Sequence, residues 1–288
     1  MYSTIDVPVR GGTLRCGVWG SGGPLVVAAH GITSSHQAWA LAGADLGRDH
    51  RFVGLDLRGR GGSRDLPGPY GMAEHAADVA AVAAHLGDPD PVVVGHSMGA
   101  FVAVAAVRAG TGSRAVLVDG GPPLPLPPGL SPDASEPELA AAIQALVGPA
   151  FPRLSMTFPT REAYRDYWRV HPSLTEWTDA VAAYVDYDLV GEAPELRPAC
   201  RLDAATRDAQ ELYATGGAKP GPLPVPAIFL RAERGMMNEP DRPFYAEGYA
   251  TEWFPGIDER TVEGTNHYTI TLGAAGAGAV AGAVRYGS

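Results

Sequence analysis

The stretch Pro91-Val92-Val93-Val94-Gly95-His96-Ser97-Met98-Gly99-Ala100-Phe101 decides the fold. A β-branched apolar run between a proline and a glycine reads as a buried strand, and the small and apolar residues after Ser97 read as a helix that begins at once. Ser97 stands on the turn between them. Glycines two residues to either side, Gly95 and Gly99, keep neighbouring side chains clear of a sharp turn that leaves the hydroxyl exposed. A serine hydroxyl is a weak nucleophile. Exposure on such a turn, beside the free N–H groups and positive end of a helix, points to covalent catalysis with an anion stabilised next to Ser97. A bare Gly-x-Ser-x-Gly is common in a chain with 37 glycines, so the strand before it and the helix after it carry the signal. The competing reading is a glycine-rich turn with a capping serine.

Outward from this stretch, residues 1–120 alternate short valine-rich runs with segments of helical period, the pattern of an α/β fold with a mainly parallel, doubly wound sheet. Candidate strands are 14–19, 25–30, 51–57, 91–95 and 114–118. The clearest helix follows Tyr70, where Met72, Ala76, Val79, Ala83 and Leu86 repeat at three or four residues and Gly87 supplies a stop. After Asp119 the texture changes to GGPPLPLPPGLSPDASEP, in which proline removes backbone donors and forbids regular structure. Helical segments near 138–147, 161–170, 176–190 and 203–214 follow, then a second hinge-like run, GGAKPGPLPVP. Residues 121–222 therefore read as a helical cap inserted into a core formed by 1–120 and 223–288. The α/β pattern resumes with a strand at 227–230, a helical stretch near 244–253, a strand around 260–263 and a small-residue helix after Tyr268.

Composition narrows the function. Hydrophobic residues make up 45 % of 288 and charged ones 19 %, enough apolar material for a core, so disorder, collagen and coiled coil drop out. The net charge is −10 and the one lysine is Lys219, which leaves no basic stripe for nucleic acid. Cys16 and Cys200 show neither zinc spacing nor a disulfide framework. Asp6 and Pro8 interrupt the place of a signal-peptide apolar stretch, and no apolar run approaches a membrane span, so the expectation is a soluble cytoplasmic protein without a membrane partner. With no His-Glu-x-x-His and no Cys-x-x-Cys, no metal is expected.

Where the nucleophile follows a central strand, the general base lies far downstream. His267, in Glu263-Gly264-Thr265-Asn266-His267-Tyr268, follows the last predicted strand and precedes the last helix, which sets it at the sheet edge of Ser97. His30, His50, His75, His85 and His171 lie in or beside other elements and read as structural. His36 opens a helix, and His96 adjoins Ser97 on the strand side, facing away.

These features together resemble the α/β-hydrolase superfamily with a cap domain. His30-Gly31-Ile32 is similar to its oxyanion loop, which implies that the backbone N–H groups of Ile32 and Met98 form the oxyanion hole. Asp56-Leu57-Arg58-Gly59-Arg60-Gly61-Gly62-Ser63 resembles the Asp-x-Arg-Gly-x-Gly-x-Ser turn of these enzymes and is read as structural. It is also the nearest approach to a dinucleotide loop, but Arg64 replaces the third glycine, so neither nicotinamide nor flavin, nor any other cofactor, is expected. For the acid of the triad, the resemblance offers Asp119, at the end of the strand after the nucleophile, or Glu233, Glu239 and Asp241 after the later strand, where Gly235 occupies the usual aspartate position. Asp119 is preferred, since a carboxylate beside the turn reaches the imidazole and holds its tautomer. A serine nucleophile implies hydrolysis of an apolar, medium-sized ester or lactone, with thioester cleavage, acyl transfer, carbon–carbon bond hydrolysis or non-catalytic binding as alternatives. In the cap, Tyr164 with Trp168 and Tyr184 with Tyr187 share helix faces; Tyr164, Trp168 and Tyr187 are candidate substrate contacts, against the simpler reading that they pack the cap on the core.

Overall fold

In the computed structural model, residues 1–124, 130–131, 134–135, 137–138, 141, 150–213 and 220–287 are described. The segment Pro91 to Phe101 folds as its pattern requires: strand β5 (Val92–His96) runs into a turn at Ser97 and then into a helix, Met98–Arg108. Around it stand β1 (Tyr2–Val9), β2 (Gly12–Trp19), β3 (Leu25–Ala29), β4 (Arg51–Leu55) and β6 (Arg114–Val118). Later in the chain come a short pair, β7 (Leu189–Val190) and β8 (Arg197–Pro198), and then β9 (Ala227–Ala232) and β10 (Asp258–Val262). The main sheet has the order β1-β2-β4-β3-β5-β6-β9-β10. Pairing is antiparallel from β1 to β4 and parallel from there on.

Both faces of the sheet are buried, which is why its central strands are continuous apolar runs rather than alternations. Leu25, Val27, Val93, Ala115 and Leu117 enter one core with the helices Met72–His85 and Met98–Arg108. Val26, Val94, Val116 and Val118 point the other way, towards the last long helix, Ala274–Tyr286. Each such valine or leucine, once fully buried, contributes roughly 1.5–3 kcal/mol through the hydrophobic effect.

Strand order reverses at β3, with β4 on one side and β5 on the other. That switch point is where open α/β sheets place ligands, beyond the carboxyl ends of the strands. Register brings those ends level: Ala29 pairs with Gly95, His96 with Val118, and Val118 with Leu230.

Three expectations need correction. Residues 2–9, left without an element above, form the edge strand β1, paired along its length with β2 (Ile5 with Cys16, Val7 with Leu14), and the edge tolerates Pro8. The helix near 244–253 is limited to Tyr249–Trp253 because Gly248 takes a left-handed φ of 82° just before it. The helix expected over 176–190 begins only at Asp179, where the Thr178 side chain accepts from the Val181 N–H, and ends at Tyr187. The helix read near 138–147 lies largely outside the described residues. Among those described, no helix is long and apolar enough to cross a membrane.

Candidate active site

Ser97 sits at φ 53°, ψ −123°, a conformation that costs a non-glycine residue on the order of 1–3 kcal/mol and that the surrounding turn must enforce. The two flanking glycines allow it. A Cβ on Gly95 would lie 2.0 Å from the Gly99 carbonyl oxygen, and one on Gly99 would lie 2.1 Å from that of Ala29. The Ser97 N–H donates to the Val118 carbonyl, which ties the turn to β6.

Three elements deliver side chains to this point. Ser97 Oγ lies 3.0 Å from His267 Nε2, and His267 Nδ1 lies 2.7 Å from Asp119 Oδ2. Asp119 follows β6, is fully buried and accepts a second hydrogen bond, from the Ala232 N–H at the end of β9. With Nδ1–H donating to this carboxylate, the Nε2 lone pair is left to accept the serine proton. The structure thus brings Ser97, His267 and Asp119 together. It holds the other acids elsewhere: Glu233 is exposed and accepts from the Gly264 N–H, Glu239 accepts from the Met237 N–H, and Asp241 is exposed.

Ile32 follows β3 on the loop facing Ser97, and Met98 is the first residue of its helix, so its N–H is one the helix leaves unused. A cavity of about 50 Å³ opens beside Ser97 and His267, space for a few water molecules. Thr33, Ser34, Tyr184, Met236, Tyr268 and Leu272 are among its walls.

A profile of the alpha/beta hydrolase family matches residues 26–280. The chain belongs to that family. Over 117 residues it is 38 % identical to the non-heme haloperoxidase of Rhodococcus erythropolis, covering 37 % of this chain and 40 % of the relative. Over 104 residues it is 39 % identical to the N-formylmaleamate deformylase of Pseudomonas putida, covering 35 % and 39 %. The chain therefore spans about two fifths of the length of these curated relatives. Among solved structures, E-2-(acetamidomethylene)succinate hydrolase superposes with a TM-score of 0.72 at 23 % identity over 95 % of both chains, a likeness of fold.

Within this alpha/beta hydrolase, several side chains differ from expectation. His96 does not face away. Its ring lies 4.8 Å from that of His267, and its Nε2–H donates to the His267 carbonyl oxygen, fixing the loop that carries His267. Burial, reinforced by the His267 ring beside it, pushes the His96 imidazole well below its usual range, so it stays neutral and keeps this donor arrangement.

Tyr164, Trp168 and Tyr187 do not line the cavity. The Tyr164 hydroxyl is held between Arg153 and Asp188, Trp168 packs under the Arg153 guanidinium and behind Tyr268, and the Tyr187 hydroxyl donates to Asp56 Oδ2 at 2.7 Å. Tyr184 reaches the cavity instead. The signal for it was its spacing: Tyr184 shares the buried face of its helix with Val181 and Val185, whereas Tyr187 falls off that face. Tyr268 and Met236 were also missed as wall residues, and only proximity to His267 marked Tyr268. Asp56 itself is fully buried and accepts from the His36 and Gly62 N–H groups, which makes its turn a fastening between β4 and the loop after β3.

Proposed function

We propose that the protein is a serine hydrolase that cleaves a small-molecule carboxylic ester or lactone through an acyl-enzyme on Ser97. The observation that carries this reading is the unbroken hydrogen-bonded line from Asp119 through His267 to Ser97 Oγ at the floor of a cavity. As Oγ attacks the substrate carbonyl carbon, its proton passes to His267 Nε2 and the carbonyl oxygen becomes an oxyanion, held by the N–H groups of Ile32 and Met98. Collapse of the tetrahedral intermediate expels the alkoxide, which takes the proton back from Nε2. Water, deprotonated by His267, then releases the acid and restores Ser97. Asp119 keeps the proton on Nδ1 and stabilises the imidazolium.

In this reading residues 121–222 act as a cap over the site, the acyl part is limited to a few non-hydrogen atoms by the cavity of about 50 Å³, and an apolar alcohol part extends beyond it. A second reading, hydrolysis of the amide of a short acyl group, is favoured by the same small cavity together with the likeness to N-formylmaleamate deformylase.

The test is turnover of p-nitrophenyl acetate and butyrate by wild type, Ser97→Ala, His267→Ala, Asp119→Asn and Glu233→Gln. Ser97→Ala and His267→Ala are expected to lose at least about 10⁴-fold in kcat, and Asp119→Asn about 10³–10⁴-fold. Glu233→Gln is expected to match wild type, as are the folded-state melting curves of all four. Activity surviving in Ser97→Ala would end the proposal. Release of formate or acetate from N-acyl amides, faster than from the matched esters, would favour the second reading.

A further inference from the structure

The two residues assigned to the oxyanion hole are both touched by one buried cation. Arg60, from the turn after β4, is fully buried; its Nε donates to the Ile32 carbonyl oxygen at 3.0 Å, and its Nη2 lies 3.9 Å from Met98 Sδ. Its Nη1 donates to the Arg58 carbonyl at 2.8 Å and pairs at 2.6 Å with Asp208, in the helix Leu202–Ala209 between β8 and β9. Asp208 is also fully buried and accepts from the Gly71 N–H and from His75 Nε2. The next carbonyl of the loop, that of Thr33, receives Nη2 of Arg153 at 3.4 Å, and Arg153 pairs with Asp188 from the same inserted region.

A buried ion pair is weak ground for stability, because desolvating two charges offsets most of their attraction; its best-supported use is to select one conformation. The conformation selected here is that of the loop carrying the Ile32 N–H. A planar guanidinium with its donors engaged on a loop carbonyl, a turn carbonyl and a carboxylate allows that loop little displacement. An oxyanion hole depends on donors held about 2.7–3.1 Å from where the charge develops, so a small shift costs rate rather than binding.

We propose that Arg60 is a positioning residue for the oxyanion hole, and that its pairing with Asp208 makes the hole depend on how the segment 121–222 is seated. This rests on Ser97 and the hole acting as proposed above. Lysine at position 60 keeps the charge for Asp208 but has no second nitrogen to hold the Ile32 carbonyl.

The experiment compares wild type, Arg60→Lys and Asp208→Asn on p-nitrophenyl acetate and on its thionoester, whose sulfur accepts hydrogen bonds poorly, with Ser97→Ala as the blank and thermal melting as the folding control. Arg60→Lys is expected to lose about 10²-fold in kcat on the ester with KM unchanged, and to lose far less on the thionoester, so that the ester-to-thionoester rate ratio falls about tenfold or more. Asp208→Asn, which leaves Arg60 in place, shifts the ratio in the same direction by less and serves if Arg60→Lys does not fold. Equal losses on both substrates, or wild-type rates in both variants, would overturn the inference while leaving the proposed function standing. A folded wild type inert to the ester and unlabelled by a serine-directed phosphonate would overturn both.

Discussion

The sheet and the segment between β6 and β9 differ in how much buried polar contact is added to their apolar packing. The sheet owes its position to apolar side chains packed on both faces, such as Val93 and Leu117 on one and Val94 and Val118 on the other. The segment builds a second apolar cluster around Phe158, Trp168 and Val185, which takes in Ala38 and Leu272 from outside it. Part of it also enters the sheet's own core, through Leu124, Phe151, Ala205, Ala209 and Leu212. To this apolar contact it adds a set of polar fastenings: Asp208 to Arg60 and His75, Arg153 to Thr33, Tyr187 to Asp56, and the Ser173 carbonyl to the Asn266 side chain. Apolar burial is nondirectional and tolerates repacking, whereas each polar fastening works in one geometry or not at all. On the proposed reading, the difference suits a rigid platform for Ser97 beside a part whose seating affects the Ile32 loop.

The largest expected effects put this contrast to the test directly. Leu117→Ala removes a fully buried side chain from the core of the sheet and is expected to cost about 2–5 kcal/mol in urea unfolding. Arg153→Met leaves Asp188 and the Tyr164 hydroxyl without their cation and is expected to cost about 3–5 kcal/mol. The distinguishing step is the double variant Arg153→Met with Asp188→Leu. Two apolar residues in place of this pair, which is internal to the segment and aims Arg153 at the Thr33 carbonyl, recover most of the loss if the pair acts electrostatically, because the orphaned charge is gone. If the double variant is no better than the single, Arg153 acts by packing on the Trp168 ring and the pair does not hold the segment through its charge.

The same contrast explains what could be read in advance. The α/β class, the positions in the chain of β2 to β6, β9 and β10, and the turns that carry Ser97 and His267 follow from period and punctuation, which are local properties. The acid was narrowed to Asp119 against three rivals by its place at a strand end, a weaker signal that only the meeting of β6, β9 and the loop before Tyr268 resolves geometrically. Edge strand β1 carries only a short alternation, Ile5, Val7 and Val9, which Asp6 and Pro8 interrupt, and its pairing with β2 rather than its own pattern makes it a strand. The partners of Arg60 and Arg153 had no signature at all. Arg60 to Asp208 spans 148 positions in sequence, and nothing in the spacing of either residue distinguishes a buried pair from two surface charges. The aromatic residues between β6 and β9 are legible only in part: helical spacing groups Tyr184 with Val181 and Val185, but it does not say which buried face meets a cavity.

Acid titration separates the two kinds of contact further. His30, at the end of β3, donates Nδ1–H to the Gly31 carbonyl and accepts from the Leu57 N–H at Nε2, and burial pushes its imidazole down to about 3. An unfolded histidine binds its proton near pH 6.5. Between pH 6.5 and about 3 the unfolded state therefore holds the extra proton, so the stability due to His30 is complete above 6.5 and is lost as pH falls. The expected slope from this one group approaches 1.4 kcal/mol per pH unit below pH 6. In the polar fastening, burial raises the Asp208 carboxyl but Arg60 and His75 more than offset it, so its contribution persists until pH falls below the ordinary carboxylate range. Unfolding midpoints at pH 7.0, 6.0 and 5.0 should fall less steeply in His30→Gln than in wild type. Identical slopes would mean that the core does not carry the loss in this window.

The smallest effect concerns Tyr187. Its half-buried hydroxyl donates to Asp56 Oδ2, and Asp56 keeps the His36 and Gly62 N–H groups as partners when that donor is removed. Because no buried charge is orphaned, Tyr187→Phe is expected to cost only about 1 kcal/mol, the net worth of one hydrogen bond. The position of the ring, against His36 and away from the cavity, predicts an unchanged KM for p-nitrophenyl butyrate. Tyr184→Phe, by contrast, alters a cavity wall and should change KM with little loss of stability. A rise in KM for Tyr187→Phe at wild-type stability would reverse the assignment: the face of the helix read here as a fastening would then meet the substrate, and the separation between what holds the inserted segment and what it presents to the site would not stand.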